Sequence, residues 1–504
     1  MVKRVCVIGA GAAGLVSVKS CLDDGLEPVC YEFSSEIGGL WNNNERKRNN
    51  LSPKAYSTLI TNVSKETSAF SDLPMPEEWP AYQTWQQYYQ YFHLYADKFD
   101  LRRYIHFNVS VEEVVKSENY IETGSWVVQT RDVTTGKEKK EEFDAVIVAS
   151  GRTGKQIWVT YPGLEDKFRG KVLHSGNYES AEEFKDKSVL VIGASNSGCD
   201  VAVDSSSYCK DVFISTRNGF WLVPRIFTHG KPLLMALSNR FKRGLQSFVP
   251  GWIINKVFIG MAEVRMNHEA LGIRSKFGPM NPRATVTVSD ELPLKIYSGL
   301  VKVRPEVKSF GEDHVTFVDG KTEAIDLIVM ATGFAPKFEF LSKDIIPEQP
   351  EDMRLHKWIF PFNLEHPSTL TFVGSCMPVG SGPLNNTHEL QARYVTQVLS
   401  GKTKLPSADR MQNMWSDQRK EMLKKTGGVF KFKVPIFEYQ EEIAGEIGVL
   451  PSFFRLLFTD PRLAFNFYFG PLLPYHYRIV GENSKPECRE YALNASARTW
   501  AAFR

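Results

Sequence analysis

Two stretches of this chain repeat one local pattern, and nothing else in it constrains folding as much. Residues 3–32, KRVCVIGAGAAGLVSVKSCLDDGLEPVCYE, and residues 187–217, KSVLVIGASNSGCDVAVDSSSYCKDVFISTR, share the same order of parts. Each reads as a short apolar strand, a glycine-rich turn, a helix opening on small residues, and a second β-branched strand. That is a βαβ unit, and two of them commit the chain to an α/β fold with mostly parallel sheets. A further echo follows each unit: FDAVIVASG (143–151) and IDLIVMATG (325–333) are acidic-led apolar strands closing on a small-small-Gly turn. The simplest arrangement is one nucleotide domain built from 1–180 and 331–504, interrupted by a second over 181–330. Between about 224 and 290 the rhythm lapses into bulky apolar and basic residues, which predicts a largely helical insertion. The polar run at 42–50 is expected to be a solvated loop.

With 504 residues the chain is too long for one core. Lys and Arg number 61 against 58 Asp and Glu, a balance that argues against a nucleic-acid binder driven by bulk charge. The seven cysteines (6, 21, 30, 199, 209, 376 and 488) include no C-x-x-C spacing, so neither a disulfide framework nor a metal site is expected. The first strand begins almost at once, without a leader pattern, and no apolar run reaches the roughly 18 residues a spanning helix needs. The N-x-S/T sequons at Asn62, Asn108, Asn385 and Asn494 are therefore read as chance matches. A cytosolic-side location is expected.

Gly9, Gly11 and Gly14 form G-x-G-x-x-G between a strand and a helix. In that setting the first glycine permits a tight turn, the second lets backbone approach a pyrophosphate, and the third lets helix and strand pack closely. The helix start adds N–H groups and a positive dipole end. Glu32, 23 positions after Gly9, offers a carboxylate to ribose hydroxyls and would repel a 2′-phosphate. The second unit differs. Thr216 and Arg217 stand at its acidic slot, 23 and 24 positions after Gly193, and suit a phosphate. Ser195 replaces the second glycine, so the pyrophosphate sits further off or accepts from Ser195. One site for FAD or NAD and one for NADPH describe a flavoprotein that takes hydride from NADPH. The missing cysteine pair closes the disulfide-reductase route, leaving oxygen or a quinone as acceptor.

Residues 168–178, FRGKVLHSGNY, match F-x-G-x-x-x-H-x-x-x-Y through Phe168, Gly170, His174 and Tyr178. This resembles the fingerprint of flavin-containing monooxygenases; the related Baeyer–Villiger motif ends in Trp. EIGGLW (36–41), TNVSKE (61–66), the ATG turn (331–333), LHKWIFP (355–361), QAR (391–393) and LFTDPRLAFNFYFGP (457–471) extend the similarity to the animal enzymes nearly end to end. The resemblance implies two Rossmann-like dinucleotide-binding domains of glutathione-reductase type, the NADP domain inserted in the FAD domain. It implies FAD on Gly9, Ala10, Gly11, Ala12, Ala13 and Gly14, on Glu32, and on Gly39, Leu40 and Trp41, with Asn62 and Val63 following the loop that reaches the flavin. NADPH falls to Thr61, Asn62, Gly193, Ser195, Asn196, Ser197, Gly198, Thr216 and Arg217. Asn62 is expected to be the key active-site side chain, with Asn196 and Glu291 lining the site. His174 is expected to be structural.

The implied activity is NADPH- and O2-dependent oxygenation of amine nitrogen or sulfide sulfur in small molecules, through a C4a-hydroperoxyflavin, as in xenobiotic metabolism. Baeyer–Villiger ketone oxygenation and an H2O2-forming NADPH oxidase are the alternatives. Several relatives end in an apolar anchor in the endoplasmic reticulum, whereas this sequence ends at SARTWAAFR. A peripheral membrane contact through 463–477 and the insertion is one expectation for those residues, burial in a core the other. A homodimer is compatible with either.

Overall fold

The computed structural model describes residues 3–48, 53–246, 248–264, 266–347, 352–375, 382–428 and 435–504. Cys376 lies outside them.

Two five-stranded parallel sheets dominate. In the first, strand Arg4–Ile8 is central, flanked by Glu27–Glu32 and then Ile105–Phe107 on one side, and by Ala145–Val148 and then Leu370–Phe372 on the other. In the second, Ser188–Ile192 is central, with Asp211–Ser215 and Lys302–Arg304 on one side and Leu327–Met330 and Lys171–His174 on the other. The echoed segments at 143–151 and 325–333 thus occupy equivalent sheet positions. These strands are unbroken apolar runs because helices or loops cover both faces; Val5, Cys6, Val7, Val189, Leu190 and Val191 are fully buried. Each sheet also has a three-stranded antiparallel companion, at 109–143 and at 307–324.

The fifth strand of each sheet is borrowed across the crossover. Lys171–His174 pairs with Leu327–Met330 of the second sheet, although the expected boundary at residue 180 assigned it to the first. The reason is local. Gly170 runs so close beneath the Asp326 carbonyl that a Cβ would approach its oxygen to 2.4 Å, and the next amide, Lys171 N–H, donates to that oxygen. His174 closes the strand, accepting at Nδ1 from the Gly176 amide and packing edge-on to Phe334, while Tyr178 donates to Asp204. The fingerprint residues therefore build the junction into the second sheet.

In the insertion, helices occupy Leu233–Leu237, Arg240–Gln246 and Gly251–Glu263; the chain then returns through turns to a strand, Val286–Val288, parallel to Trp221–Val223. The run at 42–50 is not simply a solvated loop: Asn43–Arg48 is a helix whose entrance, Asn42 and Asn43, is buried, and residues 49 and 50 lie outside the described set. The C-terminal part is helical and packs on the first sheet's core, which includes Leu463, Phe467, Tyr475 and Tyr477. Among the described residues no helix is long and apolar enough to cross a membrane.

Candidate active site

Helix Ala12–Asp23 starts from Gly11 and helix Asn196–Ser205 from Ser195, and neither start has a side-chain cap. Their first-turn N–H groups are thereby offered to an anion. A Cβ on Gly14 would stand 1.8 Å from the Gly9 carbonyl oxygen, and one on Gly198 1.9 Å from that of Gly193. Glycine alone lets each helix close on its strand.

A second turn faces the first. Gly38 donates to the Ala10 carbonyl at 3.1 Å, and a Cβ added to Gly11 would lie 3.6 Å from the Gly39 Cα. The two glycines make a wall of bare backbone beside the helix start, a cradle that side chains would fill. Leu40 and Trp41 follow in the turn Gly39–Trp41, with the Trp41 ring 4.3 Å from that of Tyr88. Glu32 is buried, and its Oε2 accepts from the Ala10 amide at 2.6 Å while Oε1 accepts from the Ser34 amide at 2.9 Å. Burial raises its pKa, against the pull of those two N–H groups. The carboxylate thus holds the glycine turn itself, with lone pairs left for a ribose.

Two further groups border this turn. Arg152 follows the Ala149–Gly151 turn, whose Ser150 lies against Gly9. His388 packs where a Cβ on Gly374 would touch both its ring and Ala13. Among the described residues, Arg152 Nη1 and His388 Nδ1 are buried without a hydrogen-bond partner. Burial, assisted by the Arg152 charge, lowers His388 to about 3, and burial lowers Arg152 as well. A buried guanidinium with an Nη1 left unpartnered among the described residues, close to an uncapped helix start, suits a cofactor carrying anionic groups, so the site fits FAD.

Asn62 and Val63 are half-buried in a loop between the two sheets. Upstream, the Lys54 and Ser57 amides donate to the Gly176 and Glu179 carbonyls, and the Tyr56 hydroxyl donates to Asp200. Thr61 is buried, its hydroxyl accepting from the Gln83 amide at 3.1 Å. Asn62 Oδ1 accepts from Arg225 Nη2 at 2.8 Å. Asn196 Oδ1 accepts from the Val288 amide at 3.0 Å, and Thr287 donates to the Ala194 carbonyl, so the insertion's returning strand is tied to the second glycine turn. Glu291 is exposed at the head of helix Leu292–Tyr297. Ser195 and Arg217 are exposed; the Arg217 side chain is 70% accessible, with Glu306 at 3.9 Å its nearest ionic neighbour.

A family model described as "FMO-like: Flavin-binding monooxygenase-like" matches residues 2–504. The chain belongs to the flavin-binding monooxygenase family. This monooxygenase is 38% identical to flavin-containing monooxygenase 5 of Mus musculus over 501 residues, covering 98% of its own length and 92% of that protein. It is 37% identical over 505 residues to dimethylaniline monooxygenase [N-oxide-forming] 2 of Rattus norvegicus, covering 99% and 92%. Its fold is similar to that of S-allyl-L-cysteine S-oxygenase from Allium sativum, with a TM-score of 0.64, 22% identity, and coverage of 91% and 92% of the two chains. The monooxygenase is an oxidoreductase that uses FAD and NADPH, with O2 and a small molecule as substrates.

No sequence pattern marks Arg225, Arg152 or His388 of the monooxygenase. Arg225 lies in the insertion, where no periodicity marks it, and Arg152 stands directly after a turn that reads as complete without it.

Proposed function

We propose that the chain oxygenates soft nucleophilic nitrogen or sulfur atoms of small molecules, and that the residues above divide the work. Relatives at 37–38% identity, one of them named for N-oxide formation, support heteroatoms over ketones as substrates. The first sheet, from the N-terminal part and from residue 331 onward, takes FAD; the second takes NADPH, with the crossover moved ahead of Lys171. Gly9 to Gly14 and Gly39 to Trp41 receive the flavin nucleotide, and Glu32 accepts from its ribose. Ser195 to Gly198 offer amides to the NADPH pyrophosphate, and Thr216 with Arg217 hold its 2′-phosphate.

When bound, FAD supplies oxygen activation and NADPH the hydride, so the chain's own task is placement and dryness. Asn62 presents its amide between the two nucleotide sites. Val63, Asn196 and Glu291 line the space around it, Asn196 by fixing the insertion's strand. Burial lowers the pKa of His174 and its Nδ1 accepts from the Gly176 amide, so its part is to hold the junction.

The carrying observation is the Asn62 amide, fixed in the loop between two uncapped glycine turns of opposite charge preference. The test is turnover with NADPH, O2 and either a tertiary arylamine or a sulfide, scored as product per NADPH. Wild type should form N-oxide or sulfoxide, and Asn62→Ala should keep FAD but divert most NADPH to H2O2. A ketone oxidised in preference to both probes would reverse the substrate class, and coupled turnover by Asn62→Ala would remove that residue's role.

The peripheral contact has a defined surface. Phe248 and Phe458 are each 87% exposed, with Trp252, Phe454 and Phe465 also exposed. Phe241–Phe469 and Phe453–Tyr468 ring contacts join helix Arg240–Gln246, two residues before Phe248, and helix Phe453–Thr459, which carries Phe454 and Phe458, to helix Pro461–Phe469, which carries Phe465. Lys242, Arg455 and Arg462 lie on the same elements. An aromatic and basic face of this kind suits an anionic bilayer such as the cytosolic leaflet of the endoplasmic reticulum. Phe248→Ser with Phe458→Ser should abolish co-sedimentation with vesicles containing phosphatidylserine; a homodimer covering this face would instead show in sedimentation velocity.

A further inference from the structure

Arg225 follows Pro224 at the end of strand Trp221–Val223, and its side chain is 15% exposed. Its Nη2 donates to Asn62 Oδ1 at 2.8 Å and its Nε to the Thr61 carbonyl at 3.2 Å. Its own backbone is held from two other segments: the amide donates to Asp290 Oδ2 at 3.0 Å, and the carbonyl accepts from the Tyr82 hydroxyl. Nη1 stands 3.7 Å from the same Asp290 oxygen. Contacts from three separate stretches of chain thus converge on one residue, whose side chain points at the active-site loop.

A guanidinium has N–H donors and no acceptor, so the Asn62 atom that faces it must be the amide oxygen. The NH2 group is then turned away from Arg225. Without such a partner an asparagine amide can turn over about its last bond, presenting an acceptor where a donor had been. Those two orientations have the same shape and opposite polarity.

We propose that Arg225 is the positioning residue for Asn62, locking its amide so that the NH2 group, and not the oxygen, is presented to the bound nucleotides. The inference rests on the reading of Asn62 as the active-site amide. Through Asp290 the same guanidinium also tethers the turn that carries Glu291, so the insertion reports on the nucleotide site through one side chain.

The test uses the FAD-loaded enzyme with Arg225→Met, which keeps the apolar stem and removes every donor, Arg225→Lys, which restores one, Asn62→Ala, and the Arg225→Met/Asn62→Ala pair. Two quantities are read: product per NADPH, and the flavin difference spectrum produced by adding NADP+ without turnover. Arg225→Met should retain FAD, lower product per NADPH by about tenfold with a matching rise in H2O2, and alter the NADP+ difference spectrum as Asn62→Ala does. Arg225→Lys should recover part of both. The double variant should be no worse than Asn62→Ala alone, because Arg225 acts through that side chain. If Asn62→Ala uncouples while Arg225→Met stays coupled with an unchanged spectrum, the inference fails and the reading of Asn62 stands. Additive losses in the double variant overturn it too, as would a lower melting temperature being the only effect of Arg225→Met. If Asn62→Ala is itself coupled, the parent reading falls and the inference with it.

Discussion

The buried guanidinium of Arg478 donates through Nη2 to Glu389 Oε1 at 2.9 Å, joining the C-terminal part of the chain to the helix that follows the first sheet. Arg478 also lies 3.5 Å from Asp72, which meets Lys19 of the first glycine-loop helix at 2.7 Å. Ser71 donates to Glu389 through both its amide and its hydroxyl. The glycine turn is therefore braced from behind by an ionic chain that reaches residues more than 400 positions away.

Removing one member should be costly, because its partners remain buried and charged. Arg478→Met is expected to destabilise the protein by about 3–5 kcal/mol and to speed FAD release on warming. Differential scanning fluorimetry, followed through both protein and flavin emission, checks this. Adding Glu389→Gln should return part of the loss, since one stranded charge is then removed.

Acid should weaken the fold in two windows. Burial lowers His388 to about 3 and, with the neighbouring Lys357 charge, His356 to about 4, against an ordinary 6.5. Between those values and 6.5 the unfolded chain takes up protons the folded chain refuses, so stability declines as pH falls below 6.5. Burial alone would raise Asp72, but Arg478 and Lys19 overcome it and hold the carboxyl at about 2, against 3.8. Its stabilisation is complete above 3.8 and is lost as pH falls toward 2. Melting temperature measured from pH 8 to pH 4 should bend downward near 6.5, and His356→Gln should shallow that slope.

Among the described residues Arg217 has a loose ionic neighbour, Glu306 at 3.9 Å, which is itself partly exposed, so its loss should strand no buried partner. Arg217→Ala should weaken NADPH by about 1.5–3 kcal/mol, one set of charge-assisted hydrogen bonds, and leave NADH nearly unchanged. Steady-state KM values for both nucleotides decide it; equal losses would show that the side chain does not meet a 2′-phosphate.

Glu32→Gln replaces two acceptor oxygens by one, so either the Ala10 or the Ser34 amide must face an NH2 group. FAD retention should fall by about tenfold or more, measured as flavin absorbance after gel filtration. Wild-type retention would mean that the carboxylate is dispensable to the glycine turn.

Much of the fold is legible in the sequence because two βαβ units impose it. The runs Arg4–Ile8 and Ser188–Ile192, the glycines at strict spacing and the paired acidic-led strands are each local signals, and they fall at matching sheet positions. The placement of Glu32 and Arg217 was legible for the same reason, since each follows its glycine at a distance set by one helix and one strand; the nucleotide preference drawn from them is the proposal that Arg217→Ala tests. The strand Lys171–His174 was misplaced because pairing partners, not local sequence, assign a strand to a sheet.

The sequence by itself determined that this protein holds two dinucleotide-type turns, and it supplied the contrast of Glu32 with Arg217 on which the proposed nucleotide preference rests. Only the tertiary structure decided what stands around them. Arg225 reaches Asn62 across 163 positions, and Arg152 and His388 flank a turn far from both in the chain. Periodicity and spacing record what a backbone does over one helix or strand. Which distant side chains meet depends on how whole sheets and helices pack, and a charge held in solvent reads in sequence exactly like one buried against a cofactor's turn.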